Sequence, residues 1–230
     1  MATITYLTKI QFDFGAVQLL ADEMAELGIS RPLFVTDKGV RAAGLLDQVM
    51  EHLADNSAAE IFDGTPENPT EAAMTLALEQ YRGAGCDGVI GVGGGSSMDL
   101  AKAVALMATH PGELSEYMMI LGGAPKITAA IAPVIAIPTT AGTGSEVGRG
   151  AIMILNDGRK LGFGSPHVIP KVALCDPDLT FSMPMMLTAG TGMDAFAHCF
   201  ETFCAPAINP PADAIATDGL GRALRFVEQA

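Results

Sequence analysis

The sequence contains no tryptophan, few aromatic residues and little positive charge. Aromatic residues make up 6% of its 230 residues, and 13 Lys and Arg are set against 26 Asp and Glu, which gives a net charge of −13 at pH 7. A chain this acidic repels nucleic acids and anionic membranes, so neither is expected as a partner. An anionic cofactor therefore has to be bound locally, by backbone N–H groups and a few well-placed donors.

Paired cysteines and long hydrophobic runs are also missing. The four cysteines form no CxxC pair and no secretory signal is recognised, so we expect reduced thiols and a cytoplasmic location. The longest apolar stretch, residues 127–137, is too short to span a membrane and contains Pro133. It is predicted to form a buried strand rather than a membrane segment.

Short apolar runs alternate with amphipathic segments over most of the sequence. Four runs are typical of buried strands: 32–36, 59–62, 88–92 and 134–137. Four segments are typical of helices: 15–27, 39–54, 70–83 and 97–108. This alternation predicts a parallel sheet with helices on both faces. Further short strands are expected at 151–155 and 172–175, around a turn at 156–158.

The pattern changes near residue 181, where a stretch rich in Met, Ala, Leu and Thr begins and indicates helix after helix. The predicted fold class is therefore α/β, with a Rossmann-like parallel-sheet domain over residues 1–181. Residues 182–230 are predicted to be the beginning of an all-helical domain.

A glycine-rich loop follows the apolar run at 88–92 and precedes a helical segment. Three successive glycines, Gly93–Gly95, allow the backbone to approach a ligand closely, and Ser96 or Ser97 is expected to cap the helix. The exposed N–H groups and the helix dipole favour a phosphate or pyrophosphate. The loop matches neither the Walker A nor the GxGxxG pattern, and a capped turn without a ligand is equally consistent with it.

Two aspartates, Asp99 and Asp37, could act together with this loop. Asp99 lies close enough for contact with a ligand or its water shell, although Asp99 and Lys102 are also typical of solvated charges on the first turns of a helix. Asp37 follows the strand at 32–36, where a carboxylate can accept both hydrogen bonds of a ribose diol and repel a 2′-phosphate. Because Asp37 precedes the glycine loop, the order differs from the usual dinucleotide fingerprint, and taken alone Asp37 indicates only a turn.

A second polar loop, residues 138–147, follows the apolar run at 134–137 and is dense in threonine, serine and glycine. In open α/β sheets, ligands bind at the carboxyl ends of the strands. Two strand ends therefore carry chemistry suited to a phosphate or a sugar, which favours ligand binding over a simple capping loop.

Asp194 and His198 are four residues apart in a segment predicted to be helical, so both side chains lie on one face. A carboxylate oxygen and an imidazole nitrogen in this arrangement can bind one divalent metal ion, although a working site normally needs three or four protein ligands. The other histidines are interpreted as structural or surface residues: His52 and His110 at the ends of helices, and His167 in a loop.

Taken together, these segments resemble the iron-containing (group III) alcohol dehydrogenase family. Seven segments match the family in order and spacing: 34–37, 66–70, 93–102, 138–147, 165–170, 176–180 and 192–198. The resemblance implies a dehydroquinate synthase-like architecture, in which a dinucleotide-binding domain precedes an all-helical domain and a metal ion lies in the cleft between them. It also implies a homodimer or a higher homo-oligomer.

The resemblance implies a role for each matching residue. Asp37 holds the adenosine ribose, and the pyrophosphate is cradled by Gly94, Gly95 and Ser96. The rest of the cofactor groove is lined by Asn68, Thr139, Thr140, Thr143, Lys160 and Leu179. The family often has threonine where this chain has Gly148, which puts one hydroxyl donor to the cofactor in doubt.

The implied cofactors are NAD, in preference to NADP, and a divalent metal, iron(II) or zinc. Asp194 and His198 match the first two metal ligands of the family, and the other two are histidines of a later helical region that this sequence lacks. The chain is therefore expected to be a truncated member. The implied reaction is hydride transfer between NAD(H) and a small alcohol, or its aldehyde or ketone, with the metal polarising the alcohol oxygen.

Three alternatives remain open. A metal-free reductase of the maleylacetate type is disfavoured by Asp194 and His198. A lyase of the dehydroquinate-synthase type is disfavoured by the acidity of the chain, since that class binds an anionic substrate. The chain could also be a cofactor-binding module that is inactive as it stands, because half of the metal site is missing.

Overall fold

The computed structural model describes residues 8–53 and 58–229. The described residues form these strands: β1 Lys9–Phe12, β2 Pro32–Val35, β3 Glu60–Phe62, β4 Gly88–Gly93, β5 Val134–Pro138, β6 Gly150–Ile154, β7 Lys160–Gly164 and β8 Val172–Cys175. They form these α-helices: α1 Leu20–Glu26, α2 Lys38–Ala42, α3 Leu45–Met50, α4 Glu71–Gly83, α5 Gly95–Thr109, α6 Met185–Cys204 and α7 Pro210–Phe226. Short 3-10 helices join them: Ala16–Leu19, Leu114–Tyr117, Met119–Leu121, Ala124–Lys126, Pro166–Val168 and Pro177–Thr180.

Six of the strands form one sheet in the order β1-β8-β5-β4-β2-β3. Every neighbouring pair is parallel, with Val35 opposite Gly91 and Gly91 opposite Ala136. The predicted α/β fold with a parallel sheet is confirmed. Because all six strands run in the same direction, the residues that follow β2, β4 and β5 meet at one edge of the sheet.

The core consists of two clusters of buried side chains, one on each face of this sheet. Alternate residues of β2 belong to different clusters, with Leu33 and Val35 in one and Phe34 in the other. The first cluster includes side chains of α4 and α5, and the second includes side chains of α1 and α3. Strands buried on both faces explain why the sequence shows continuous apolar runs instead of alternation.

β6 and β7 form a separate antiparallel hairpin. The predicted turn at 156–158 joins them, and Gly158 has a φ of +85°, which favours glycine. The expectation that 172–175 belongs near this turn is wrong, because β8 lies in the central sheet between β1 and β5. β1 and β7 were not predicted: each carries a lysine, β1 is an exposed edge strand, and β7 contains two glycines.

The described residues divide into two compact units. One comprises 8–53, 58–139 and 145–179, and the other comprises 140–144 and 180–229. In the second unit α6 and α7 pack against each other at small residues, because a Cβ added at Gly219 would lie 2.6 Å from the Cys199 sulfur. Asn209 caps α7 by accepting a hydrogen bond from the Ala212 N–H at 3.4 Å.

His110, at the end of α5, is not the surface residue that the sequence indicated. It is only 7% exposed, and its Nε2 accepts a hydrogen bond from the Thr128 backbone N–H at 3.0 Å. The chain returns past the end of α5 through three 3-10 helices, so a histidine that looks terminal in the sequence is covered. None of the described helices is both long enough and apolar enough to cross a membrane.

Candidate cofactor and metal sites

The glycine loop brings the backbone of β4 directly into the start of α5. Gly93 has a φ of +144°, a conformation that other residues rarely adopt. Gly94 is the N-cap residue, and none of the side chains that the structure describes caps the helix there. The first N–H groups of an α-helix have no partner within the helix, so the start of α5 presents uncapped donors at the positive end of the dipole. This arrangement suits an anion such as a pyrophosphate.

The prediction that Ser96 or Ser97 caps α5 is wrong. The helix begins at Gly95, so both serines fall within its first turn. The Ser96 hydroxyl donates to the carbonyl of Glu67, and the Ser97 hydroxyl donates to Asp37 Oδ2 at 3.3 Å. The backbone donors of α5 are therefore not occupied by these side chains.

Asp37 follows β2 after Thr36 and lies beside the first turn of α5. Its Oδ1 accepts a hydrogen bond from the Val40 N–H at 3.0 Å, which makes Asp37 the N-cap of α2. Its Oδ2 accepts the hydrogen bond from Ser97. The carboxylate and the uncapped helix start therefore lie at the ends of neighbouring strands, β2 and β4.

The threonine-rich loop continues directly from β5. The Thr139 N–H donates to the carbonyl of Gly93 at 3.0 Å, and the Thr139 side chain is buried. The Thr140 hydroxyl is buried without a hydrogen-bond partner in the part of the chain that the structure describes, as are those of Thr36 and Thr65. A buried hydroxyl without a partner carries a desolvation cost, which a ligand can remove by bonding to it.

Four further predicted residues differ in what they offer a ligand. Lys160, the first residue of β7, donates to Asn68 Oδ1 at 2.9 Å, and both residues are exposed. Leu179 is 2% exposed and belongs to the core cluster that includes α1 and α3. Because its side chain is in the core, only the backbone of Leu179 is available to contact a cofactor. Thr143 is partly exposed in the loop after β5.

Lys102 is fully buried, which corrects its interpretation as a solvated charge. Its ammonium donates to Ser145 Oγ and to the carbonyl of Gly150, both at 2.8 Å, and lies 3.6 Å from Asp99 Oδ1. Asp99 is engaged as well, since its Oδ1 accepts from Ser145 at 2.6 Å and its Oδ2 accepts from the Ile152 N–H at 2.9 Å. This network around the buried Lys102 ties α5 to Ser145 and to the first residues of β6.

The network shifts the protonation equilibria of its members. Burial lowers the pKa of Lys102, and the negative charges of Asp99 and Glu146 oppose that shift. Burial raises the pKa of Glu146. This network was not predicted from the sequence, although the sequence contains a signal that Lys102 is buried. Residues 100–107 are apolar except for Lys102, so that part of α5 is hydrophobic all round and its lysine has no solvent-facing side.

The predicted metal-ligand pair lies on α6. Asp194 Oδ2 and His198 Nδ1 are 4.0 Å apart, and the two side chains are 42% and 53% exposed. His198 Nδ1 also lies 3.3 Å from the carbonyl oxygen of Gly142. Among the described residues no group of three or more His, Cys, Asp or Glu side chains could hold a metal ion. The pair offers two potential metal donors, one oxygen and one nitrogen.

The sequence profile of the family described as iron-containing alcohol dehydrogenase matches residues 8–177. The chain belongs to the iron-containing alcohol dehydrogenase family. The match covers the parallel sheet, the glycine loop, Asp37 and the Lys102 network, and it ends before α6. The resemblance drawn from the sequence is thus confirmed.

Relatives with named activities match all or nearly all of the chain. A 4-hydroxybutyrate dehydrogenase from Cupriavidus necator is 60% identical over 230 residues, which are all of this chain and 60% of the relative. A choline dehydrogenase from Bacillus subtilis is 38% identical over 226 residues, covering 97% of this chain and 56% of the relative. The chain therefore spans somewhat more than half the length of these relatives.

Solved structures of similar proteins share the fold. A 1,3-propanediol oxidoreductase has a TM-score of 0.92 at 34% identity, covering 100% of this chain and 60% of that chain. A sulfoacetaldehyde reductase from Bifidobacterium kashiwanohense, solved in complex with NAD+, has a TM-score of 0.91 at 28% identity and covers 99% of this chain and 60% of that chain.

Within the second unit, Gly142 lies against α6. A Cβ added at Gly142 would lie 2.4 Å from the backbone oxygen of Thr191 in α6, a distance that real contacts do not reach. Only glycine permits this approach. The approach also brings the Gly142 carbonyl to His198, so the loop orients one of the two candidate metal ligands.

Proposed function

We propose that this chain supplies the NAD(H)-binding part and two metal ligands of an oxidoreductase that interconverts a small alcohol and its aldehyde or ketone. The observation that carries the proposal is the uncapped start of α5 with Asp37 beside it. The N–H groups of Gly95 and Ser96 would hold the pyrophosphate, and Asp37 would accept hydrogen bonds from the adenosine ribose. Thr140, with its buried hydroxyl, would donate to or accept from the same cofactor.

The residues that are present also fit a metal ion. Asp194 and His198 offer one oxygen and one nitrogen donor, a pair that suits iron(II) or zinc. If His198 donates its Nδ1–H to the Gly142 carbonyl, Nε2 keeps its lone pair and is the nitrogen that would bind the metal. We propose that the remaining ligands come from residues outside this chain, since the described residues hold no third one in place.

When bound, the metal would polarise an alcohol oxygen and NAD+ would accept a hydride. The tasks of this chain's own residues are to bind and orient. Asp37 would fix the adenosine ribose and the start of α5 would fix the adjoining pyrophosphate, and the Lys102 network would keep α5 and the segment 145–150 in register. Asp194 and His198 would supply two of the groups that fix the metal.

Names of relatives guide the choice of substrate. The relative from Cupriavidus necator is named for 4-hydroxybutyrate, and a relative from Citrobacter freundii, 36% identical, is named for 1,3-propanediol. We propose a short hydroxy acid or diol as the substrate class, with a homodimer or a higher homo-oligomer as the working assembly. The pair Asp194 and His198 favours this metal-dependent reaction over a metal-free reductase of the maleylacetate type.

Cofactor preference gives a test. Replacing Asp37 with serine keeps a capping oxygen for α2 but removes the negative charge and one acceptor from the ribose. We expect NAD+ to bind about tenfold more weakly and NADP+ to bind more tightly, because the repulsion of the 2′-phosphate is lost. Titration calorimetry with each cofactor measures both changes. An unchanged ratio of the two affinities, in a variant that melts like the parent chain, would exclude Asp37 from the ribose site.

A second candidate function is a cofactor-binding module without turnover. The half-site on α6 favours it, because only two potential metal ligands are in place among the described residues. We expect the 230-residue chain, supplied with iron(II) or zinc, NAD+ and either 4-hydroxybutyrate or 1,3-propanediol, to bind NAD+ but to form almost no NADH. Absorbance at the NADH band measures the product. Turnover that depends on the added metal, at rates ordinary for dehydrogenases, would show that this chain alone completes the site.

A further inference from the structure

Ser97 is a fully buried side chain in the first turn of α5. Its hydroxyl donates to Asp37 Oδ2 at 3.3 Å. The contact joins two residues that are sixty positions apart in the chain, at the carboxyl ends of β4 and β2. A buried hydroxyl that makes no hydrogen bond carries a desolvation cost. This cost favours the geometry in which the Ser97 hydroxyl donates to Asp37.

Gly93 leaves the space in which Ser97 lies. A Cβ added at Gly93 would be 2.7 Å from Ser97 Oγ and 3.4 Å from Asp37 Oδ2. Glycine is thus required at position 93 for two reasons. Its φ is positive, and the space that a Cβ would occupy is taken by the side chains of Ser97 and Asp37. A larger residue at position 93 would push Ser97 and Asp37 apart.

The Asp37 carboxylate is held through both of its oxygens. The Val40 N–H bonds to Oδ1 at 3.0 Å, and Ser97 bonds to Oδ2. Two bonds from two different elements fix the rotation of the carboxylate about its Cβ–Cγ bond. Each oxygen keeps a further lone pair, so the group remains able to accept hydrogen bonds from a diol, in one orientation.

We propose that Ser97 is a positioning residue that orients Asp37 and thereby sets the preference for NAD over NADP. The proposal rests on the proposed function, since it assumes that Asp37 meets the adenosine ribose. An oriented carboxylate accepts from both ribose hydroxyls at once and directs its charge at the place of a 2′-phosphate. Without the Ser97 hydroxyl, the Asp37 carboxylate can rotate. Its hydrogen bonds to the ribose then weaken, and its repulsion of a 2′-phosphate is less well directed.

The test replaces Ser97 with alanine and measures the dissociation constants of NAD+ and NADP+ by titration calorimetry on the 230-residue chain. We expect the ratio of the two affinities to fall about fivefold to tenfold, mainly through weaker NAD+ binding. Asp37 still caps α2 in this variant, so the fold at the end of β2 is kept. Thermal unfolding followed by circular dichroism verifies that the variant is folded.

A matched control lies at the opposite ends of the same two strands. The Ser30 hydroxyl donates to Asp87 Oδ2 at 2.6 Å, just before β2 and β4 begin. Ser30→Ala therefore removes the same kind of bond between the same two chain regions, away from the glycine loop. We expect it to lower the melting temperature without changing the ratio of affinities for NAD+ and NADP+.

A double variant separates orientation from general damage. In an Asp37→Ser chain, the carboxylate that Ser97 orients is gone, so adding Ser97→Ala should leave the affinity ratio where Asp37→Ser put it. Two equal, independent drops in the ratio would mean that Ser97 acts through the fold and would overturn the proposal. So would an unchanged ratio in Ser97→Ala itself. If the parent chain binds neither cofactor, the proposed function fails; if it binds NAD+ and only the Ser97 effect is missing, this inference alone fails.

Discussion

Replacing Gly94 with aspartate is expected to abolish NAD+ binding while making the chain slightly more stable. Gly94 has extended dihedral angles, φ −78° and ψ −171°, which any residue can adopt, and it is the N-cap of α5 without a capping side chain. An aspartate there would accept a hydrogen bond from the N–H groups of the first turn, which stabilises the helix by about 0.5–1 kcal/mol. Its charge would also occupy the place that we assign to the pyrophosphate.

The loss of affinity follows from charge repulsion. A carboxylate about 4 Å from a phosphate costs about 4 kcal/mol at an effective dielectric of about 20, so NAD+ should bind at least about 100-fold more weakly. Gly94→Ser is the matched control, because serine caps the helix without adding charge and should weaken binding much less. Calorimetry gives the affinities and thermal melting gives the stabilities. Full NAD+ affinity in Gly94→Asp would remove the start of α5 from the cofactor site.

Replacing Lys102 with alanine is expected to lower the free energy of unfolding by about 3–5 kcal/mol. The change leaves Asp99 and the half-buried Glu146 without their cation, and it removes the donor that joins Ser145 to Gly150. It also leaves a cavity where the lysine stem packed. Lys102→Met restores most of that packing but none of the charge, so it measures the electrostatic part alone.

An exposed lysine provides the comparison for this change. Lys126 pairs with Glu116 at 3.1 Å, and the two side chains are 55% and 49% exposed. Exposed pairs contribute about 0–1 kcal/mol, so Lys126→Ala should change the denaturant midpoint little. Urea unfolding of the variants measures the difference. A Lys102→Ala chain that is as stable as Lys126→Ala would contradict a stabilising role of the Lys102 network.

The parts of the fold that sequence reasoning found share a local cause. β4, the glycine loop and α5 follow each other within one short segment, and an apolar run followed by three glycines and a long helical pattern has few other interpretations. The spacing of Asp194 and His198 is local as well, because residues four apart on a helix lie on one face.

The parts of the fold that the sequence analysis did not predict depend on residues that are distant along the chain. The buried state of Lys102 is decided by Ser145 and Gly150, more than forty residues away. Likewise, β1 is a strand because it pairs with β8, which lies near the other end of the α/β part of the sequence. The capping error at α5 had another cause: the helix begins one residue earlier than the first serine, so Ser96 and Ser97 bond to other partners.

The central claim is that NAD+ binds with its pyrophosphate on the backbone N–H groups at the start of α5. Amide-resolved NMR of the isotope-labelled 230-residue chain during an NAD+ titration tests it most directly. We predict that the amide resonances of Gly95, Ser96 and Ser97 shift most at saturation, and that the same titration of Gly94→Asp leaves them in place. Saturable NAD+ binding that moves other amides and leaves these three unchanged would contradict the account.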